Sequence, residues 1–453
     1  MSLTGANADE WVPVKPGTEG VLALGLAHVI AANGLLPAAN GHAGAAIDGW
    51  SSGLTDYAPA RVEQLTGVAA KHIERLAREL VQFRPAVAVA GGPPLAHTNG
   101  LFHALAVNAL NELLGAVGQP GGIFFTSGVT VPQFPSPLPP QDLSAAKVVL
   151  LDGANPVFEA PKALKIREAL GQVPFIASFG SFIDDTSALA DLILPDHSFL
   201  ESWVDREPES GSIEAASQAF GPAMKPIHQT RATAEVLIDV AGKLKSPVAL
   251  SWKSAEELAT SNPQSAQSGT QSTIQSAIRA PQSTIRFAEP RFDGEATEYP
   301  FHFLPYLSLQ FGDGSVAHLP WLQEMPDPLT SAMCSSWVEI NPQTAGRLGI
   351  ANGDLVDVTS SQGTVRAPAM IFPGIAPDLV AMPVGQGHEN FTRIASGRGA
   401  NPIGILAPVT ADGTGTLAWA ATRVKIARAG DADRSLIMFA GELREHPGEG
   451  KTR

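Results

Sequence analysis

Lys147-Val-Val-Leu-Leu-Asp-Gly-Ala-Asn-Pro156 is an aliphatic run closed by a polar, turn-forming end. The run reads as a strand, and Asn155-Pro156 marks the point where a helix begins. A helix at about 158–170, a strand at 173–178, a short strand Asp191-Leu-Ile-Leu194 stopped by Pro195, and a helix near 232–244 follow. Upstream, 19–33 reads as a mostly apolar helix ending near Gly34. Ile73, Leu76, Ala77 and Leu80 repeat at helical spacing over 69–82 until Arg84-Pro85 breaks them. Ala86-Val-Ala-Val-Ala90, bounded by Gly91-Gly-Pro-Pro94, has the form of a buried parallel strand. A helix from Asn99 to about Val117 carries Phe102, Leu105, Ala109 and Leu113 on one face, and glycines at 118, 121 and 122 stop it. Strands alternating with helices predict an open parallel α/β sheet over residues 1–245.

Residues 246–299 change character. Ser, Gln, Thr and Ala dominate, Gln-Ser-Thr-Ile occurs at 271–274 and again at 282–285, and the segment reads as a flexible linker, with room for one helix at 253–261. From Phe301 the pattern is β. Asp354–Val358 reads as a strand, Ser361-Gln-Gly363 as a turn, and Val365, Ala367, Ala369 and Ile371 alternate as in a half-buried strand. Further short strands are expected near 336–340, 378–382 and 415–426. Turns every roughly 8–15 residues predict a compact barrel over 300–430, with 431–453 as a tail.

The chain has 453 residues, 44% hydrophobic and 16% charged, a globular composition long enough for two or three domains. Its net charge of −14 repels phosphate backbones and anionic lipid, which argues against nucleic acid and direct membrane-surface partners. No apolar run is long enough to span a bilayer, and the N-terminus lacks the basic-then-apolar order of a secretory signal. Cys334 is the single cysteine, so this chain supplies neither a disulfide nor a four-thiolate iron–sulfur or zinc site. There is no Ser–His–Asp pattern, no dinucleotide glycine fingerprint and no phosphate-binding P-loop.

Several polar groups stand at places where ligands bind. Asn155 and Pro156 lie at a strand end, where an open α/β sheet holds nucleotides; an ordinary turn with Pro in the first helical position is the other reading. Asp184, Asp185, Thr186 and Ser187 either cap a short helix or accept hydrogen bonds from a guanine edge. His388, Asn390, Arg393, Arg398 and Asn401 crowd a Gly-rich loop that either approaches a phosphate-linked ligand or is a long solvated barrel loop. His197, Glu201 and Asp205 lack the spacing of a known metal site. Pro320–Pro328, with Trp321, Leu322 and Met325, is either a docking surface or a strap over the barrel.

Several segments resemble one family. Ala90-Gly-Gly-Pro-Pro-Leu-Ala-His-Thr-Asn99, Leu110–Gly118 and Pro120-Gly-Gly122 look like the third domain of DMSO-reductase-type molybdopterin oxidoreductases. Leu151–Pro156 and Asp184–Glu201 resemble the segments of that family that face the pterin nucleotide, and Trp337–Asp354 resembles the entry to its dinucleotide-binding barrel. Pro320–Pro328, Gly385-Gln-Gly-His-Glu-Asn390 and Gly397-Arg-Gly-Ala-Asn-Pro402 are similar to the polysulfide-reductase-like branch, closest to the iron–sulfur/molybdopterin-like subunit of alternative complex III.

The resemblance implies a double-psi-type barrel and a molybdopterin guanine dinucleotide held by Asn155, Pro156, Asp184, Thr186, His388, Asn390, Arg398 and Asn401. It implies partners among the subunits of a membrane-associated redox complex, on the periplasmic side, and a part in respiratory electron transfer. The family's N-terminal cysteine cluster and metal-ligand region have no match here, so no iron–sulfur cluster is expected in this chain. Either Met1 lies inside a longer gene or the chain is a split subunit. In alternative complex III the similar subunit keeps the fold without the cofactor, which leaves a non-catalytic structural subunit, or a truncated inactive fragment, as alternatives.

Overall fold

A computed structural model describes residues 2–36, 41–124, 143, 145–206, 218–261, 284–432 and 436–439. The first unit is helical. Helix α1 (Glu19–Ala32) is apolar all round and lies at its centre, packed by α2 (Pro59–Thr66), α3 (Ala70–Gln82) and α4 (Gly100–Leu114). Val21, Leu24, Ala27 and Ile30 of α1 are all but excluded from solvent. The close approach of α1 to α4 needs Gly20, where a Cβ would lie 2.7 Å from His103 Nδ1. Helix α4 stops at Gly115, whose φ of 72° is the left-handed C-terminal turn that glycine takes without penalty.

Residues 86–90 differ from expectation. They form no strand among the described residues. Instead Ala88 is bound through both its N–H and its C=O by the Asn111 side chain of α4, each at 2.8 Å, and Val89 is 87% exposed. An amide side chain here stands in for a neighbouring strand, because the described residues provide none.

The parallel sheet is small: β1 (Val149–Leu151), β2 (Ile176–Ser178) and β3 (Leu192–Ile193), in that order. The helix expected over 158–170 is broken into α5 (Pro156–Glu159), a 3-10 turn at Lys162–Leu164 and α6 (Ile166–Leu170). Pro161 pushes Ala160 out of helical backbone, and Lys165 takes a φ of 54° between the two later pieces. β4 (Val204–Arg206) and β5 (Gln218–Phe220) pair antiparallel, and helix α7 (Thr233–Lys243) closes the half, as expected.

The segment expected as a linker falls partly outside the described residues, at 262–283. Its helix forms at Ala255–Thr260. Beyond it the chain is held rather than free: the Ile285 N–H donates to Ala46 O, the Asp48 N–H donates to Ile285 O, and the Arg291 guanidinium pairs bidentately with Asp412. Residues 284–293 are a strap joining the helical unit to the barrel.

The barrel is closed from β6 (Phe301–Leu307), β7 (Val338–Ile340), β8 (Asp354–Ser360), β9 (Gly363–Ile371), β10 (Leu379–Val384) and β11 (Arg423–Ala432), in the order β9-β7-β10-β6-β11-β8. β9–β7 and β10–β6 are parallel, and the other described pairs are antiparallel. Inward residues alternate along each strand: Val356 and Val358 face Phe301, Phe303, Ile340, Val380, Met382 and Val424, while Asp357 pairs outside with Arg366 at 2.7 Å. The strand expected over 415–426 begins only at Arg423; residues before it form a loop carrying two bridges, Thr410 to Leu417 and Thr422 to Asp293.

Candidate functional site

The sheet's strand ends meet the barrel's Gly-rich loop. After β1 the chain turns, and Pro156 opens α5. Asn155 Oδ1 accepts from the Thr186 N–H at 3.1 Å and from Thr186 Oγ1 at 2.7 Å, and Thr186 Oγ1 in turn accepts from the Val157 N–H. Asp184 Oδ1 accepts from the N–H groups of Thr186 and Ser187, so its capping reading is realised.

Asp185 turns the other way, across the seam. It accepts from His388 Nδ1 at 2.7 Å, from the Glu389 N–H at 2.7 Å and from the Asn390 N–H at 2.9 Å. Its side chain is 3% exposed. Burial pushes its pKa up, but these three donors outweigh burial and hold it below the usual carboxylate range. An ionised carboxylate only accepts, so His388 Nδ1 carries the proton. His388 Nε2 is buried and without a hydrogen-bond partner among the described residues. Asn401 adds a second tie, donating from Nδ2 to Phe158 O at 2.7 Å.

Asn155, Pro156, Asp184, Thr186, His388, Asn390 and Asn401 are thus gathered at one junction. Arg398 is not: its side chain is solvent-exposed and its charge acts on Cys334. Asn390 contributes its backbone N–H. Asp185 carries most of the contact, yet in the sequence it is indistinguishable from its capping neighbour. Phe158, Lys162 and Arg167 gave no signal, since only the fold brings them to the barrel. His197 and Glu201 are held locally, by Thr230 and by the N–H groups of Ser198 and Ile227. No group of three or more metal-binding side chains occurs among the described residues.

Two clefts flank the junction. The larger, about 290 Å³, has one wall from Phe158, Lys162 and Arg167 and the other from Gln362, Thr364 and Arg366 with the 387–405 loop. Arg366 is paired with Asp357 and Arg167 with Glu389, whereas Lys162 has no ion pair among the described residues. The smaller cleft, about 160 Å³, lies over the ends of β1 and β2, between Gly153, Asn155, Glu159, Asp184, Phe182 and Phe391. Burial, then repulsion from Asp313, raises the pKa of Glu159. Between the clefts runs a row of rings. Phe158 stacks on His388 at 3.7 Å between centroids, His388 meets Phe391 at 4.8 Å, Phe391 meets His318 at 4.8 Å, and His318 meets Phe182 at 4.2 Å.

The loop leaves no room for a side chain at Gly387, where a Cβ would sit 2.2 Å from Asn401 N and φ is +95°. Gly387→Ala is expected to cost about 3 kcal/mol, read by urea unfolding, because clash and left-handed strain add. A loss under about 0.5 kcal/mol, the range of ordinary surface substitutions, would show the loop to be loosely held.

A family model described as molybdopterin oxidoreductase matches residues 2–243, and one described as molydopterin dinucleotide binding domain matches 322–416. The chain belongs to the molybdopterin oxidoreductase family. It is 29% identical to the menaquinone reductase, molybdopterin-binding-like subunit of Nitratidesulfovibrio vulgaris, over 95% of this chain and 64% of that protein. It is 21% identical to the arsenate respiratory reductase molybdopterin-containing subunit of a Shewanella species, over 89% of this chain and 66% of that protein. The chain therefore spans just under two thirds of the length of these relatives. The fold is shared with acetylene hydratase from Pelobacter acetylenicus, with a TM-score of 0.71 at 15% identity over 94% of this chain and 72% of the other.

Within the family frame the larger cleft sits on the seam of the two matched regions: Phe158, Lys162 and Arg167 lie in one, Gln362, Thr364 and Arg366 in the other. The residues present fit the phosphate-linked part of a dinucleotide. Lys162 offers an uncommitted cation, and glycines at 363, 387, 399 and 404 line the cleft without side chains.

Proposed function

We propose that this chain works as a subunit, or the C-terminal portion, of a molybdopterin oxidoreductase complex in respiratory electron transfer, and that the seam cleft holds the phosphates of a pterin guanine dinucleotide. The observation that carries this is the cleft's construction, with a free Lys162 on the sheet side facing barrel backbone. In this reading Lys162 neutralises phosphate charge, and Glu159 and Asp184 in the smaller cleft accept N–H groups of the guanine edge. The Asp185–His388 pair keeps the two walls at a fixed distance. The redox chemistry would be the cofactor's own. The parallel and antiparallel pairing of the closed barrel supports a double-psi topology. The names of the menaquinone and arsenate reductase relatives support the respiratory setting, and the Gly385–Pro402 loop supports the alternative complex III branch. Attachment to a membrane would come through partners, on its periplasmic side.

A second reading has its own observation. The ring row from Phe158 to Phe182 packs between residues that line the two clefts, as in a subunit that keeps the fold and uses the old groove as a joint. Pterin fluorescence after oxidative release, with metal analysis, separates the two. The first reading expects about one pterin per purified chain, and at least a tenfold loss in Lys162→Glu with melting unchanged. Pterin-free wild-type protein purified from its native host sinks that reading and leaves the second.

A further inference from the structure

Of the three cations lining the seam cleft, two are already paired, and the pairs are built differently. Arg366 holds Asp357 through two hydrogen bonds, Nε to Oδ1 at 2.7 Å and Nη2 to Oδ2 at 2.9 Å. The two residues are cross-strand partners on β9 and β8, so the barrel's register keeps them together. A bidentate pair of that kind resists exchange. Arg167 holds Glu389 through one hydrogen bond, Nη2 to Oε2 at 2.9 Å. The partners come from opposite walls, Arg167 from α6 and Glu389 from the barrel loop. Both side chains are exposed, 41% and 63%. An exposed ion pair with a single contact contributes little, so an anion in the cleft can displace it.

Glu389 is also held in a way that frees its side chain. Its backbone N–H donates to Asp185 Oδ1 at 2.7 Å, which pins the loop at the seam. The carboxylate can therefore leave Arg167 by side-chain rotation, with no movement of the loop. On the other wall Lys162 lies five residues before Arg167 and has no ion pair among the described residues. Its stem runs over Gly404, where a Cβ would lie 3.2 Å from Lys162 Cε. Lys162 and a released Arg167 give that wall two cationic points, one for each of two linked phosphates.

We propose that Glu389 is a resident competitor for the ligand of the seam cleft. Its carboxylate holds Arg167 until one of two linked phosphates takes its place, the other phosphate going to Lys162. Only ion pairs are exchanged. A ligand bound by Lys162 alone leaves the Arg167–Glu389 pair intact, so the pair favours ligands that carry two phosphates. The inference rests on the phosphate reading of the cleft and deepens it: Arg167 becomes a ligand-binding residue, and Glu389 the group that sets the affinity.

The probe is inorganic pyrophosphate, titrated by calorimetry into the full chain produced in a host that makes no pterin dinucleotide. Glu389→Gln removes the competitor and is expected to bind pyrophosphate about fivefold more tightly than the parent. Arg167→Gln is expected to bind it about tenfold more weakly. The double variant decides whether the two effects are one: with Arg167 gone, Glu389→Gln is expected to gain less than about twofold. Melting temperatures should match the parent's, because the pair is exposed. An equal gain from Glu389→Gln with and without Arg167 overturns the proposal, since plain charge repulsion would explain it. An affinity unchanged by Glu389→Gln, in protein whose binding Lys162→Glu abolishes, overturns it too and leaves the phosphate reading standing. Pyrophosphate bound by neither the parent nor Glu389→Gln overturns the proposal together with that reading.

Discussion

Asp185→Ala is expected to loosen the joint between sheet and barrel and to cost roughly 3–5 kcal/mol of unfolding free energy. The carboxylate is the single acceptor for His388 Nδ1 and for two consecutive barrel-loop N–H groups, all within 2.9 Å. Truncation strands three donors, one of them on the buried His388 ring, and a buried group left without its partner costs more than the bond itself was worth. His388 would also lose the contact that orients its ring on Phe158. Asp185→Asn keeps an acceptor oxygen and is expected to lose about half as much, near 2 kcal/mol. Denaturant unfolding, with hydrogen exchange followed at Glu389 and Asn390, measures both. If Asp185→Ala melts like the parent and those amides stay protected, the carboxylate is not what closes the seam.

Acidification from pH 6.5 to about 4 is expected to produce a loss of at least similar size. Three histidines meet where the helical unit, the strap and the barrel converge. His97 and His302 both lie against Phe292, and His103 is 6.5 Å from His97 between ring centroids. Burial, the largest cause at each, lowers their pKa values to about 3 for His97 and about 4 for His103 and His302. In the unfolded chain they titrate near 6.5, so between pH 6.5 and 4 the unfolded state binds more protons and stability falls as pH falls. Each lowered histidine contributes up to roughly 3 kcal/mol across that window.

Glu19 works in the opposite sense. Burial raises its pKa to about 7, so its contribution is present below the unfolded value near 4.5 and is lost as pH rises through 7. The net acid effect is therefore less than the three histidines would give together. Thermal melts at pH 7, 6, 5 and 4 should show the decline, and His97→Phe should flatten it by removing the most strongly shifted group. A melting temperature constant from pH 7 to 4 would contradict neutral, buried histidines at this junction.

The sequence by itself determined the class of the fold. Apolar patterning located α1, α3 and α4 to within a few residues, and the alternation in β9 with the spacing of turns announced a barrel, because those patterns are local consequences of helix and strand geometry. It also named most of the junction: Asn155, Thr186, His388 and Asn401 stand at a strand end and in a Gly-rich loop, places recognisable without neighbours. Only the tertiary structure decided which acid crosses the seam. Asp184 and Asp185 are adjacent and chemically alike, and one caps its own turn while the other reaches a loop 203 residues away. The same holds for Ala86–Ala90, whose composition is that of a strand but whose pairing depends on a neighbour, and for Lys162, an exposed lysine whose place on a cleft depends on the barrel loop opposite. Propensity is written residue by residue; partnership is settled only when distant parts of the chain are packed together.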